Sequence, residues 1–447
     1  MLLLKNISYL ISDARTTLRN ADLLIDGARI AAVGAIDPAA LPAHADVLDF
    51  SGKAVLPGFV NAHTHLWQMY LKGRRDDLPL SGWCDEVLLP FLGAAYAVKR
   101  EPGAQRLSFL WAALAMCDML HSGVTAFADM DLEFHQDGIF EAARLIGLRG
   151  AIGVEMADRF YSDSAETLES SKAEVLRLIK KWPRTPDAPV FALIAPSEPN
   201  LCTDGLLRWL AEQAKAHSLP VQAHICETLR ESEQVLSERG MRALEWMDEF
   251  GFLSPAFSAV HGVHLSPEEI ALAAKRGVTV VYNPKSNMKL ASGVAPIVEL
   301  LKAGVNVALA TDGPASNDAM DLFEEMRLGA MLQKVDRRDP AALCAPEIFS
   351  IATLGGARML GIDAGELKPG KLADLAAVDL GAAHLLAFGE EILPALVYCA
   401  RSGDVSDVIV GGRLVLHDKK VLALDERALL KEARDAGLRF IGRAGAK

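Results

Sequence analysis

The sequence has no cysteine pairing to offer. Its six cysteines, Cys84, Cys117, Cys202, Cys226, Cys344 and Cys399, are scattered, with no CxxC and no close pair. That excludes a disulfide framework and reads as reduced, buried thiols in a cytoplasmic protein. A run of Lys or Arg is also missing, and 46 basic residues stand against 58 acidic ones, a net charge of −12. Nucleic acid and anionic membrane are therefore not expected partners. No apolar run approaches the ~20 residues of a membrane span. The opening Met1-Leu2-Leu3-Leu4-Lys5 is too short to read as a secretion signal. Low-complexity segments and short-period repeats are absent as well. What remains is a chain of 447 residues, 51% hydrophobic and 23% charged. It exceeds one ordinary core, so one large domain and one small one are expected.

The two ends read as β-structure. Short, partly alternating stretches at 2–7, 21–25, 29–33 and 47–49 are separated by turn signals, among them Ile25-Asp26-Gly27. Stretches at 370–379, 405–410 and 413–416, with glycine turns, answer them near the other end. The expected organisation is a small β-sandwich domain built from residues 1–56 and 365–424, a (β/α)8 barrel over 57–364 and a C-terminal helix over 425–447. The middle alternates strands and helices, which implies parallel βαβ units. Eight candidate strands run at 55–60, 124–128, 151–154, 190–194, 221–223, 257–260, 278–282 and 305–310, several of them runs of Val, Ile and Ala as strands buried on both faces require. Helical apolar spacing falls at 105–120, 167–181, 205–217, 267–275 and 320–334. Eight such units predict an α/β fold of the TIM-barrel type, whose chemistry gathers at the C-terminal strand ends.

Titratable residues stand at those ends. His63 and His65 follow strand one, two apart, so both side chains are expected on one face. His224 and Glu227 follow strand five, His261 and His264 strand six, and Asp312 strand eight. Three imidazoles and a carboxylate hold one divalent ion and leave a position for water, whose pKa the ion lowers toward neutrality. His63, His65, His224 and Asp312 fit the ligand roles. Glu227, three residues beyond a ligand, is placed to move protons. His261 is nearer its strand end than His264, which reads as structural. Asp129 after strand two is as readily a helix cap as a functional residue. Cys226 reads as a buried neighbour. His44, His121, His135, His217, His384 and His417 lack strand-end context and read as surface or packing residues.

The segments PGFVNAHTH (57–65), HICET (224–228), VHGVHL (260–265), NPKSNMKLASGVAP (283–296) and TDGPASN (311–317), with GELKPGKLAD at 365–374, resemble the amidohydrolase superfamily over nearly the whole chain. The resemblance is to the branch holding methylthioadenosine/S-adenosylhomocysteine deaminases, guanine-type deaminases and triazine chlorohydrolases. It implies a distorted barrel, one Zn2+ per chain with Fe2+ as the alternative, and hydrolytic release of ammonia from an aromatic aminoheterocycle. It also implies His63, His65, His224 and Asp312 as ligands, Glu227 as proton carrier, His261 beside the attacking oxygen, and Asp312 doubling as proton shuttle. The bridging lysine of binuclear members is missing, since strand four ends Leu193-Ile194-Ala195-Pro196-Ser197-Glu198, which favours a single ion. Methylthioadenosine/S-adenosylhomocysteine deaminases place a glutamate on the ribose just after a Leu-Pro turn. Here Leu89-Pro90-Phe91-Leu92 carries no acid, so nucleosides and free aminoheterocycles both stay open. Displacement of chloride or an alkylamine from a triazine is the alternative reaction. For substrate contacts the sequence offers Gln68 and Trp67, Trp83 as a stacking surface, and Glu155. Each has an ordinary alternative as a loop, packing or salt-bridge residue. The expected partner is a small heterocycle, and the expected assembly a homo-oligomer.

Overall fold

The computed structural model describes residues 1–43, 45–159, 168–185, 188–386 and 391–443, with side chains through Phe440. His44 and Thr167 lie outside them. Strands from both ends of the chain join in one nine-stranded sheet. The joint is the antiparallel pair Lys53–Pro57 and Leu375–Asp379, in register Leu375 to Pro57 through Asp379 to Lys53. One face of this sheet closes on its own core of Leu4, Leu10, Leu23, Ile25, Val55 and Leu375. From the other face, Ile11, Leu56, Val378 and Val408 join the large core around the barrel. The first two strands, Leu2–Asp13 and Thr16–Asp26, run further than their apolar centres indicate. Polar residues such as Thr16 and Arg19 lie on exposed positions of the ladder, where alternation rather than apolarity marks a strand.

The barrel strands are Phe59–Thr64, Val124–Asp131, Arg149–Met156, the broken fourth strand Val190–Ala192 with Ala195–Pro196, then Val221–Ile225, Phe257–His261, Thr279–Tyr282 and Asn306–Leu309. All neighbours pair in parallel. The ring closes where Ile194 N–H donates to Pro220 O (3.0 Å) and where Asp312 N–H donates to His63 O (3.1 Å). Small side chains fill the interior: Val60, Ala62, Ala126, Ala128, Ala151, Val260, Val281 and Ala308 form one buried cluster. Such narrow residues let eight strands close around a packed centre.

The first strand differs from its expected position at 55–60. The chain crosses from the small sheet to the barrel at Gly58, and His63 lies inside the second segment rather than beyond it. Gly58 sits against Thr125: a Cβ there would lie 2.7 Å from Thr125 Cβ. Only glycine lets the strand pass. Helices cover the outside. The one after strand six, Pro267–Arg276, begins with a reciprocal Ser266–Glu269 capping box and ends on left-handed Gly277. The final helix, Glu426–Arg443, lies against Ala104–His121 through Arg106–Glu432 (2.6 Å) and His121–Glu426 (2.8 Å). Among the described residues, no helix is long and apolar enough to cross a membrane.

Candidate active site

The first strand carries an irregularity where the chemistry begins. Its pairing with the second strand passes from Asn61–Phe127 to Thr64–Asp129, three residues against two. The extra residue is a bulge, and a bulge re-aims side chains. Strict alternation does not reveal it. His63 and His65 thereby bring their Nε2 atoms to 3.2 Å from each other. His224 Nε2 stands 3.3 Å from His65 Nε2. Asp312 Oδ1 completes the set at 3.4 Å from His63 Nε2 and 3.5 Å from His65 Nε2.

The tautomers follow from the partners of the other ring nitrogens. His65 Nδ1–H donates to Met130 O (2.7 Å) and His224 Nδ1–H to Ser197 O (2.9 Å). His63 Nδ1–H donates to Gln222 Oε1 (2.7 Å), and the orientation of that amide is set by its Nε2 donating to Ala62 O (2.8 Å). Each Nε2 therefore presents a lone pair toward its neighbours. Burial, reinforced by His65 and His224 against the pull of Asp312, takes His63 down to about 3, so its ring is neutral, the ligating form. Asp312 is held well below the usual carboxylate range: burial would raise it, but His63, His261 and His65 outweigh burial. Its Oδ2 accepts from Ser286 Oγ (2.6 Å) and Ser316 Oγ (3.0 Å), and Oδ1 from Gly313 N–H (2.7 Å). Lone pairs converging at such distances repel unless a cation lies among them. Edges of this length surround a point about 2 Å from each atom, the bond length of zinc to imidazole and carboxylate. The donor set fits one divalent metal ion.

Glu227 and His261 stand over this cage, Glu227 Oε2 3.4 Å from His261 Nε2. His261 ends its strand at φ 71°, and its Nδ1 faces Asn287 Oδ1 at 3.0 Å. Burial lowers it to about 4. Glu227 accepts from Ser292 Oγ (3.2 Å), and burial with the Asp312 charge pushes its carboxyl up to about 7. The segment carrying it turns through Cys226 at φ 52°. Glu231 holds that segment: Oε1 accepts from Cys226 N–H and Oε2 from Glu227 N–H, both at 2.9 Å. The same Glu231 is the third residue of a capping box with Thr228, a T-x-x-E signal legible in the sequence.

A cavity of about 670 Å3 opens above the cage. Gln68, Trp67, Trp83 and Glu155 all line it, with Glu227 and His261. Trp67 and Trp83 are 3% exposed, and their indole Nε1 atoms have no hydrogen-bond partner among the described residues. Glu155 Oε1 accepts from Ser197 Oγ (2.5 Å). Phe91 points away from the cavity's polar groups into a stack with Trp67 (centroids 5.5 Å) and Phe440 (5.1 Å). Glu198 also lines the wall, and burial together with Glu231 pushes its carboxyl up to about 8. Sequence reasoning did not single out Gln222, Glu198 or Glu231.

His264 lies outside the cavity and bonds Ser292 O through Nε2 (2.8 Å). Cys226 is buried beside Glu269. Asp129 is not a helix cap. It lies within the second strand and accepts from Thr64 Oγ1 and Leu66 N–H, both at 3.0 Å, bracketing His65. A second cluster, Asp407, His417 and Asp418, sits on the small sheet. There Lys53 Nζ already neutralises Asp407 at 2.6 Å, so it reads as an ion-pair network.

Residues 54–415 match the amidohydrolase family, to which this chain belongs. It is 39% identical over 427 residues to a 5'-deoxyadenosine deaminase of Methanothermobacter thermautotrophicus, covering 95% of this chain and 96% of that one. It is 37% identical over 416 residues to a 5-methylthioadenosine/S-adenosylhomocysteine deaminase of Pyrococcus abyssi, covering 92% and 93%. Among solved structures, an adenosine deaminase from Xanthomonas campestris with bound zinc superposes at TM-score 0.89, with 30% identity over 100% of this chain and 99% of that one. Atrazine chlorohydrolase TrzN from Arthrobacter aurescens, complexed with zinc, gives 0.87 and 25% identity over 98% and 100%. The fold is the family's TIM barrel with a small β domain.

Proposed function

We infer that the protein is a metal-dependent aminohydrolase that converts the amino-bearing carbon of an adenosine-type nucleoside to a carbonyl and releases ammonia. The observation that carries this reading is Glu227: a buried carboxyl with a pKa of about 7 stands over the histidine cage at the floor of a nucleoside-sized cavity. Relatives 37–39% identical over most of their length carry deaminase names, which supports the same reaction here.

His63, His65, His224 and Asp312 would hold one ion per chain, zinc by the donor set, with Fe2+ suited to the same atoms. Such an ion supplies a Lewis acid and lowers the pKa of its water toward neutrality. Glu227 takes a proton from the attacking water and delivers it to the ring nitrogen next to the carbon under attack. The new C–O bond forms at that carbon, and the C–N bond then breaks. Asp312, restrained by Ser286 and Ser316, passes the second proton to the leaving amine. His261, anchored through Nδ1 by Asn287, aims Nε2 at the attacking oxygen and orients it. Trp83 stacks on the planar heterocycle, and Gln68 and Glu155 meet its polar edge. Six unpaired cysteines support a cytoplasmic setting.

The test is ammonia release by zinc-loaded protein from adenosine, 5'-deoxyadenosine, methylthioadenosine and S-adenosylhomocysteine, beside free purines, pterins and triazines. Nucleosides are expected to be turned over, and Glu227→Gln to lower kcat at least ~10²-fold at unchanged zinc content. Chloride release from a chlorotriazine without ammonia release from any nucleoside would overturn the reading.

A further inference from the structure

The carboxylates that line the cavity are not equivalent. Glu227 is engaged by Ser292, Glu155 by Ser197, and Glu231 by backbone N–H groups. Glu133 meets Lys99 at 3.1 Å, and Asp312 belongs to the cage. Asp85 is exposed at the rim. Glu198 is different. It is half-buried in the loop after strand four and lines the cavity, and its side-chain carboxyl has no hydrogen-bond or ion-pair partner among the described residues. An acid left without partners in a cavity wall has an acceptor to offer a ligand.

Trp83 lines the same cavity as Glu198. A carboxyl in such a wall is complementary to a ligand hydroxyl, which can donate a hydrogen bond to it.

Resting on the nucleoside reading above, the substrate's own chemistry narrows the ligand. In a 5'-substituted adenosine the exocyclic amine is the leaving group, and the remaining purine nitrogens are acceptors. On the ribose ring itself, the donors common to all these nucleosides are the 2'- and 3'-hydroxyls. We propose that Glu198 binds the ribose diol of the substrate, and so selects ribosides over deoxygenated sugars and free bases. The helical wall formed by Leu88, Leu89 and Leu92 offers only apolar contacts for this task.

The test compares kcat/KM for adenosine and 2',3'-dideoxyadenosine on zinc-loaded wild type, Glu198→Gln and Glu198→Ala, with zinc content and melting temperature measured alongside. Wild type is expected to favour the diol by roughly 10²-fold or more, as sites built to hold a hydroxyl do. Glu198→Gln should cut that preference to within about tenfold and Glu198→Ala to within about threefold, mainly through KM, with zinc content retained. Glutamine preserves shape if alanine impairs folding. The proposal is overturned if either folded variant keeps the full preference, if both substrates fall in parallel, or if wild type lacks the preference. Release of ammonia from a free heterocycle but from neither nucleoside would instead overturn the nucleoside reading itself.

Discussion

Glu231 accepts the backbone N–H of Glu227 at 2.9 Å, and its other oxygen accepts that of Cys226 at the same distance. The residue is 7% exposed, and its carboxylate accepts from backbone N–H groups of the turn that carries Glu227. It fixes the backbone from which the proton carrier projects, in a segment that turns through a left-handed residue. Removing it leaves buried N–H groups unpaired, at ~1–3 kcal/mol, and frees Glu227 to shift. A displacement of even ~1 Å can cost a factor of about 10² in rate. Glu231→Ala should therefore lower kcat by roughly 30- to 100-fold with zinc content retained. Steady-state kinetics and metal analysis on the same preparation check this; a lower melting temperature at wild-type kcat would reduce Glu231 to a purely structural part.

Much of this site is legible in the sequence. His224 and His261 stand at the C-terminal ends of strands five and six and Asp312 just beyond strand eight, because a barrel gathers strand ends on one face, and eight apolar runs mark that barrel. What escaped reading has physical causes. The bulge between Asn61 and Thr64 inserts one residue, and alternation carries no mark of it. Gln222 and Met130 serve the ligands through an amide and a backbone carbonyl, and neither is a metal-binding type. Glu198 follows the end of strand four with no second titratable residue at ligand spacing to mark it. Asp129 read as a possible cap because it was expected to follow a strand that in fact continues to Asp131. In Leu89-Pro90-Phe91-Leu92, which carries no acid, the Phe91 ring is part of the stack joining Trp67 to the final helix.

Metal removal should be visible in stability as well as activity. The four donor atoms of the cage lie 3.2–3.5 Å apart along the measured edges, with lone pairs facing one another. An ion that binds the folded chain and not the unfolded one stabilises it by about 4 kcal/mol at a concentration of ~1,000 Kd. Chelation should lower the melting temperature, and stoichiometric zinc should restore it. In His224→Ala the zinc-dependent rise should shrink to a small fraction. An identical rise in that variant would place the bound ion elsewhere.

Acid should weaken the small sheet at Asp407. This carboxylate is fully buried and meets Lys53 Nζ at 2.6 Å and His417 Nδ1 at 2.6 Å. Burial pushes its pKa up, but the hydrogen bonds from Lys53, Ser406 and His417 outweigh burial and hold it below the usual value. The folded pKa lies below the unfolded one, so this stabilisation is complete above about pH 4, the unfolded carboxyl pKa, and fades as the pH falls through the folded value. Asp407→Ala strands Lys53 and should cost about 3 kcal/mol at pH 7. Urea titrations of wild type and variant should show a gap that narrows as the pH falls below about 4. A gap that stays constant from pH 7 to pH 3 would show that packing, not charge, accounts for it.

The passage from sheet to barrel depends on Gly58 against Thr125. A methyl group at 58 would meet all three side-chain carbons and oxygens of Thr125, with Cβ itself at 2.7 Å. Neither side can easily yield. Gly58 N–H donates to Asp374 O (3.0 Å) and Phe59 N–H to Gly123 O (3.0 Å), so the backbone is pinned on both sides. Thr125 is buried in the second strand, its χ1 restricted by branching. Gly58→Ala should therefore destabilise by about 3 kcal/mol, at the upper end of overpacking costs. Thr125→Ala removes the outer atoms but leaves the close Cβ, so in the Gly58→Ala background it should restore part of the loss and not all of it. Equilibrium unfolding of the two single variants and the double variant measures this as a coupling energy. Strict additivity would mean that the two residues do not meet in the way the strand crossing requires.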